Sequence, residues 1–317
     1  MAEALYGPDG FYTIAGRAGR RGDFITSPEV GPLFGAVLAR WIDAEFERLG
    51  RPDAFTVVEV GAGPGTLARS VLSAAPHWSG RYVCVEVSDE QRASHPDGVT
   101  SVAAMPDQPM VGVVIANELL DNLPFRLMVF DGGWREAHVV IGVDGSAQEV
   151  LRPSDVVPPI PDGVPVPHGA RVPVQEQASS FVTNTMRHLT AGSVLCIDYC
   201  TARTVELLDV PWRAWLRTYR GHERGEHYLR SVGRQDITAQ VCVDQLPTPA
   251  AVRTQAQFLA RWGIDELVEE GRQVWERAAA RPDLVALRMR SRIREAEALC
   301  DPEGLGGFLA LEFRQDL

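Results

Sequence analysis

Apolar residues recur at helical spacing between Glu29 and Leu49, at Val30, Leu33, Phe34, Val37, Leu38, Trp41, Ile42, Phe46 and Leu49, and Gly50 supplies a stop. The pattern then shortens. Phe55 to Val60 is a β-branched apolar run that predicts a strand, and a glycine cluster separates it from a helix over Thr66 to Ala75. Arg81 to Val87 and Val111 to Ala116 read as further strands, and Ser193 to Tyr199 follows an amphipathic stretch from Val174 to Leu189. Near-continuously apolar strands separated by helices predict a parallel sheet covered on both faces.

Two regions break the alternation. Arg126 to Val143 reads as a hairpin turning at Asp131-Gly132-Gly133, and the prolines of Pro153 to Pro173 predict a surface loop or lid hinge. Met1 to Ser27 reads as loop. Beyond the Arg/Gly-rich stretch Trp212 to Gln235, a strand is expected at Asp236 to Val243. Helices follow at Gln255 to Trp262, Ile264 to Ala279 and Pro282 to Leu299, the second broken near Gly271, and Gly307 to Arg314 forms a last strand.

Composition narrows the function class. The 317 residues are 45% hydrophobic and 23% charged, as in an ordinary globular enzyme. The net charge is −11, and all 31 basic residues are arginine, which argues against nucleic acid as a partner. No apolar run reaches membrane-spanning length, and Met1 to Thr13 lacks a signal-peptide layout, so no membrane partner is expected and the expected location is cytoplasmic. The five cysteines, Cys84, Cys196, Cys200, Cys242 and Cys300, have no metal-ligand spacing and read as buried thiols, and the histidines show no metal motif either.

Glu59-Val60-Gly61-Ala62-Gly63-Pro64-Gly65-Thr66-Leu67 carries the most chemistry, since it leaves a strand and opens a helix. Gly61, Gly63 and Gly65 let the main chain turn tightly and approach a ligand. Their G-x-G-x-G spacing differs from the dinucleotide pattern, and Glu59 would repel a diphosphate. An acid there can contact the amino group of a bound amino acid, which S-adenosylmethionine carries without any phosphate. Glu86, 21 residues past Gly65, ends the second strand where a carboxylate can accept from both ribose hydroxyls. Asn117-Glu118-Leu119-Leu120-Asp121-Asn122-Leu123-Pro124 follows the next strand and is placed at the carboxyl edge of the sheet, where ligands bind. A helix start capped by Asn117 is the competing reading of that segment.

With these residues the chain resembles the MidA-like methyltransferases, whose mitochondrial members assist assembly of respiratory complex I by methylating an arginine of one subunit. The resemblance rests on Ala4-Leu5-Tyr6-Gly7-Pro8-Asp9-Gly10-Phe11-Tyr12-Thr13, Gly22-Asp23-Phe24-Ile25-Thr26-Ser27-Pro28-Glu29 and the glycine loop. It continues through Asn117-Glu118-x-x-Asp121-x-x-Pro124, Ile197-Asp198-Tyr199, Leu216-Arg217-Thr218-Tyr219-Arg220-Gly221-His222 and Gln235-Asp236-Ile237-Thr238-Ala239. Cys200 and Asn122 depart from it, where glycine and alanine are common.

The resemblance implies an α/β, Rossmann-like class I methyltransferase core with a mostly parallel seven-stranded sheet. It also implies that Thr26, Ser27 and Glu29 wall the cofactor pocket beside Glu59, Gly61, Gly63, Gly65, Glu86 and Asn117. Asn117, Glu118 and Asp121 would face the methyl group and the acceptor. Residues 1–50 are expected as an N-terminal loop and helix packing on the core, and 51–317 as the methyltransferase domain with insertions near 125–175 and 205–300. The expected activity is protein-arginine N-methylation with S-adenosyl-L-methionine, the acceptor being an arginine-containing protein or peptide. Paired acids suit a guanidinium fork, and Tyr199 and His222 are further acceptor-side candidates. Methylation of a small metabolite or peptide natural product, a cofactor-binding assembly factor without turnover, and a nicotinamide dehydrogenase are the alternatives.

Overall fold

The computed structural model describes residues 1–14, 26–220 and 223–316. Gly22 to Ile25, Gly221 and His222 of the resemblance lie outside the described residues. The chain forms two compact units, each with its own apolar core. The small unit is built from Met1–Phe24, Glu118–Asn184 and Asp198–Thr248, and the large unit from Ile25–Asn117, Thr185–Ile197 and Pro249–Leu317.

The large unit carries a seven-stranded sheet. Its order is Ala251–Thr254, Leu309–Gln315, Leu189–Asp198, Met110–Asn117, Phe55–Val60, Tyr82–Val85 and Val99–Val102. The last five strands pair in parallel, and Ala251–Thr254 pairs antiparallel with Leu309–Gln315. The expected sheet is therefore present. The Val99–Val102 and Ala251–Thr254 strands escaped sequence reading because each is short and at an edge, with little apolar alternation to mark it.

The helix expected from Glu29 is broken at Gly31 into Ser27–Val30 and Pro32–Arg48. Pro32 opens the second piece at a position where the missing N–H costs nothing. Leu33, Phe34, Val37, Leu38, Trp41 and Ile42 are buried along it. Each such side chain contributes roughly 1.5–3 kcal/mol on burial, so packing rather than helix propensity holds it. Ile264–Ala278 runs unbroken through Gly271, contrary to expectation. A Cβ at Gly271 would meet the Met289 carbonyl oxygen at 2.5 Å, so this glycine permits close approach of the helix Leu284–Cys300 rather than marking a break.

In the small unit the expected hairpin forms from Arg126–Phe130 and Trp134–Ile141, in a four-stranded sheet completed by Ala147–Pro153 and Arg171–Val174. The region expected as one strand at Asp236 to Val243 is two, Asp236–Ala239 and Val241–Cys242, in different sheets. Asp236–Ala239 pairs with Leu216–Arg220. The N-terminal segment is not all loop: Ala2–Tyr6 and Phe11–Ile14 are short helices. Leu5 and Phe11 are buried in the small unit's core, so tertiary burial fixes turns too short to stand alone.

Candidate functional site

In the large unit the residues expected to hold a cofactor gather around one loop. Gly61, Gly63 and Gly65 all adopt left-handed φ, at 71°, 53° and 79°, which a side chain would strain. The Gly65 N–H donates to the Ala62 carbonyl at 2.9 Å and closes the turn into the helix Thr66–Ala74. The Glu86 carboxylate accepts the Gly63 N–H through one oxygen and the Ser88 N–H through the other, both at 2.9 Å. Each oxygen keeps a lone pair for a further donor, as a ribose diol requires. Thr66 donates to Glu29 Oε1 at 2.7 Å, bringing Glu29 to the end of this loop. Asn117 extends one residue past Ala116, the register partner of Val60, so its strand ends beside the loop.

Three of the expected residues take bracing positions. The Glu59 carboxylate is buried, accepts from the Tyr82 hydroxyl at 2.7 Å, and accepts the Ala68 N–H in the first turn of the helix Thr66–Ala74. It therefore satisfies an otherwise orphaned helix donor from beneath. Burial pushes its carboxyl up to about 8, with the nearby Glu86 charge adding to the shift. Ser27 is fully buried and donates to Gln255 Oε1 at 2.9 Å, while Thr26 is the buried residue that precedes the helix Ser27–Val30.

The sequence reading missed His95, Ser88 and Arg69. His95 Nε2 lies 2.9 Å from the Gly63 carbonyl oxygen and Nδ1 lies 2.8 Å from Ser101 Oγ. Arg69 donates to the Pro64 carbonyl at 2.6 Å. Ser88 was findable, since Ser-Asp-Glu-Gln is a capping pattern and its Oγ accepts the Gln91 N–H. Nothing in the spacing marks His95.

The small unit holds a second group. Glu118 has φ +50°, a conformation that costs a non-glycine residue energy and concentrates at functional sites. No helix capped by Asn117 follows; Leu120–Asn122 is a single 3-10 turn without a side-chain cap. The Asp198 carboxylate holds that turn instead, accepting the N–H groups of Leu120 and Asp121 at 3.0 and 3.2 Å. Asp236 accepts from the Tyr12 hydroxyl at 3.0 Å and the Asn122 amide at 3.1 Å. Asp121, Asp198 and Asp236 are all buried, and Asp121 Oδ1 has no hydrogen-bond partner among the described residues. Burial, and then the charges of Asp198, Asp236 and Glu118, push the Asp121 carboxyl well up; Tyr199 donates to it and offsets a little of this. Burial followed by Glu118 raises Asp198 to about 8. Asp198 and Asp236 are members of this cluster that sequence reasoning did not single out.

Among the described residues no group of three or more His, Cys, Asp or Glu side chains is arranged to hold a metal ion, and no helix is long and apolar enough to cross a membrane. All five cysteines are free thiols.

The Methyltransf_28 model, which describes S-adenosyl-L-methionine-dependent methyltransferases, matches residues 37–260. The chain belongs to this family. A COG1565 superfamily protein from Burkholderia thailandensis, crystallised with S-adenosyl-homocysteine, superposes with a TM-score of 0.82 at 27% identity, over 99% of this chain and 86% of that one. The mitochondrial protein arginine methyltransferase NDUFAF7 of Xenopus tropicalis is 26% identical over 84% of this chain and 71% of its own length. The homologue from Drosophila melanogaster is 32% identical over 47% of this chain, which spans 42% of that relative.

For this methyltransferase family the cofactor is S-adenosylmethionine, and the residues present fit it. A Cβ at Gly65 would meet Pro96 Cδ at 2.9 Å and one at Gly63 would press on Gln91 Oε1 at 3.2 Å, so a side chain is crowded at both positions in the loop. The Glu86 carboxylate stands at the strand tip beside it.

Proposed function

We propose that the protein transfers the methyl group of S-adenosylmethionine to an arginine of a protein or peptide acceptor. When bound, that cofactor supplies a methyl group already activated on a sulfonium. The large unit's part is to hold it, through the Gly61–Gly65 backbone and the Glu86 carboxylate.

One observation carries the choice of acceptor: a buried Asp121 oxygen without a hydrogen-bond partner among the described residues, facing further carboxylates rather than a cation. Carboxylates crowded together out of water are costly, and a planar cation with several N–H donors relieves them. A guanidinium does this as a fork, which an ammonium cannot match. Glu118 and Asp121 orient the acceptor nitrogen, while Asp198 fixes the turn that presents Asp121. As the nitrogen gains its methyl group from the sulfonium it gives up one proton, and Asp121 Oδ1, buried without a hydrogen-bond partner among the described residues, is our candidate to take it. The names of the NDUFAF7 relatives support the same acceptor.

The test is mass spectrometry of a lysate treated with the purified protein and isotopically labelled S-adenosylmethionine. Label on arginine side chains of polypeptides is expected. Label confined to small molecules, or none at all, would overturn the assignment.

A further inference from the structure

The small unit contains a recess of about 320 Å³. Trp212, His227 and Tyr228 form aromatic walls, and Arg213, Arg217 and Arg224 line it. In a chain of net charge −11 this grouping is against the trend. None of the three arginines has an ion-pair partner among the described residues, and the acid on the lining is the exposed Glu226.

The walls are held in place. Arg171 forms a two-point ion pair with Glu149 at 2.6 and 2.7 Å, and Tyr228 hydrogen-bonds with both. The guanidiniums of Arg171 and Arg213 lie 5.3 and 5.1 Å from the ring centre of Trp212, which meets the rings of His227 and Tyr228 edge-on. Because Glu149 neutralises Arg171, the uncompensated positive charge belongs to Arg213, Arg217 and Arg224. Partial burial and then the positive charge of Arg213 hold the His227 imidazole below its usual range, with Arg171 and Arg230 acting in the same sense and Glu149 opposing them. The recess is thus a preorganised site of excess positive charge.

Arg217 ties this recess to the acidic cluster. Its guanidinium lies 5.3 Å from the ring centre of Tyr199, whose hydroxyl reaches Thr238 and Asp121. Thr238 is in turn the strand partner of Arg217. Tyr199 thus stands between the buried Asp121 carboxylate and the half-buried Arg217 guanidinium, within a single unit.

We propose that the recess lined by Arg213, Arg217 and Arg224 binds an acidic side chain, Asp or Glu, that flanks the target arginine in the acceptor polypeptide. The inference rests on the reading of the acidic cluster as the arginine site, and it names a specificity determinant that the cluster alone does not. An arginine on the carboxylates and a neighbouring carboxylate on the guanidiniums match both charge patterns at once. Charge-assisted hydrogen bonds from guanidinium forks give the carboxylate orientation as well as affinity. The aromatic walls exclude water around it, which strengthens those bonds.

The experiment uses the full-length protein with S-adenosyl-homocysteine and three probes: a capped peptide with one arginine flanked by glutamates, its alanine-flanked counterpart, and inorganic phosphate. The glutamate peptide is expected to bind tighter than the alanine peptide by about tenfold or more, the scale of one hydrogen bond to a charged group. Its binding is also expected to raise the His227 imidazole pKa, read by NMR on the wild-type protein. In Arg213→Gln/Arg224→Gln, with an unchanged melting temperature, the preference should shrink towards parity. Equal binding of the two peptides, or an unmoved His227, would overturn the proposal. Phosphate raising the His227 pKa as strongly as the glutamate peptide would overturn it too, in favour of a free-anion site. The two readings fail separately. Glutamate preference with an arginine that is never methylated sinks the arginine activity, whereas methylation of both peptides at equal rates sinks the acidic-flank site.

Discussion

The carboxylate of Glu86 accepts the backbone N–H of Gly63 at 2.9 Å, so the tip of one strand braces the glycine loop that leaves its neighbour. One side chain thereby braces the fold at the strand tip where a ribose acceptor is expected. Glu86→Ala is expected to weaken S-adenosylmethionine binding by roughly 1.5–3 kcal/mol, the range for hydrogen bonds to a charged group. It should also lower the melting temperature of the ligand-free protein by about 2–4 °C, since the loop loses its brace. Calorimetry and thermal melting on the same sample check both, and an unchanged affinity would remove Glu86 from the cofactor site.

Gly63 tests the loop itself. Its φ of +53° is strained for any side chain, and a Cβ would stand 3.2 Å from Gln91 Oε1. Gly63→Val, β-branched and the less able to adopt this conformation, should destabilise by about 1–3 kcal/mol and abolish measurable cofactor binding. Normal binding by a folded variant would place the cofactor elsewhere.

The acidic cluster should separate binding from turnover. Glu118→Gln and Asp121→Asn are expected to leave S-adenosylmethionine affinity within about twofold while slowing single-turnover methyl transfer by roughly 10²-fold or more. Because Asp198 holds the following turn, the Glu118→Gln melting temperature should stay near wild type. A wild-type rate in both variants would remove the cluster from the mechanism.

Stability should fall with rising pH in a range where most proteins are insensitive. Glu59 and Asp198 are raised to about 8 in the folded protein, by burial before any other cause. For an acid so raised, the folded state holds a proton that the unfolded chain has released. The stabilisation is therefore complete below the ordinary carboxylate range and drains away as pH climbs towards 8. The slope per group is at most about 1.4 kcal/mol per pH unit. Glu59→Gln, which keeps the Tyr82 contact without the charge, should flatten the melting-temperature profile between pH 5 and 9. A profile as steep as wild type would show that Glu59 is ionised throughout.

Acceptor binding should release protons. Asp121 and Asp198 favour the neutral form in the free protein, and a guanidinium placed on them restores their charge. Titrating an arginine peptide at pH 7 in buffers of different ionisation heat should give apparent enthalpies that track the buffer with the sign of proton release. Buffer-independent enthalpies would contradict the cluster as the guanidinium site.

The strand, glycine loop and helix from Phe55 to Ala74 could be read directly from the residues, because their signals are local. Apolar runs mark buried strands, and left-handed turns favour glycine. That Glu86 and Asn117 stand at strand ends was legible for a similar reason, since strand ends in a parallel sheet fall on one edge. Where a side chain points and what it meets is a different kind of information. Glu59 sits in the motif, yet its carboxylate turns beneath the helix to Tyr82 and Ala68. Ser27 finds Gln255 across more than two hundred residues. The acidic cluster draws Tyr12, Asp121, Asp198 and Asp236 from four separate segments, and no spacing rule links acids so far apart. Local propensity and periodicity settle which elements form. The meeting of buried charges depends on desolvation and on contacts that exist only once those elements have packed.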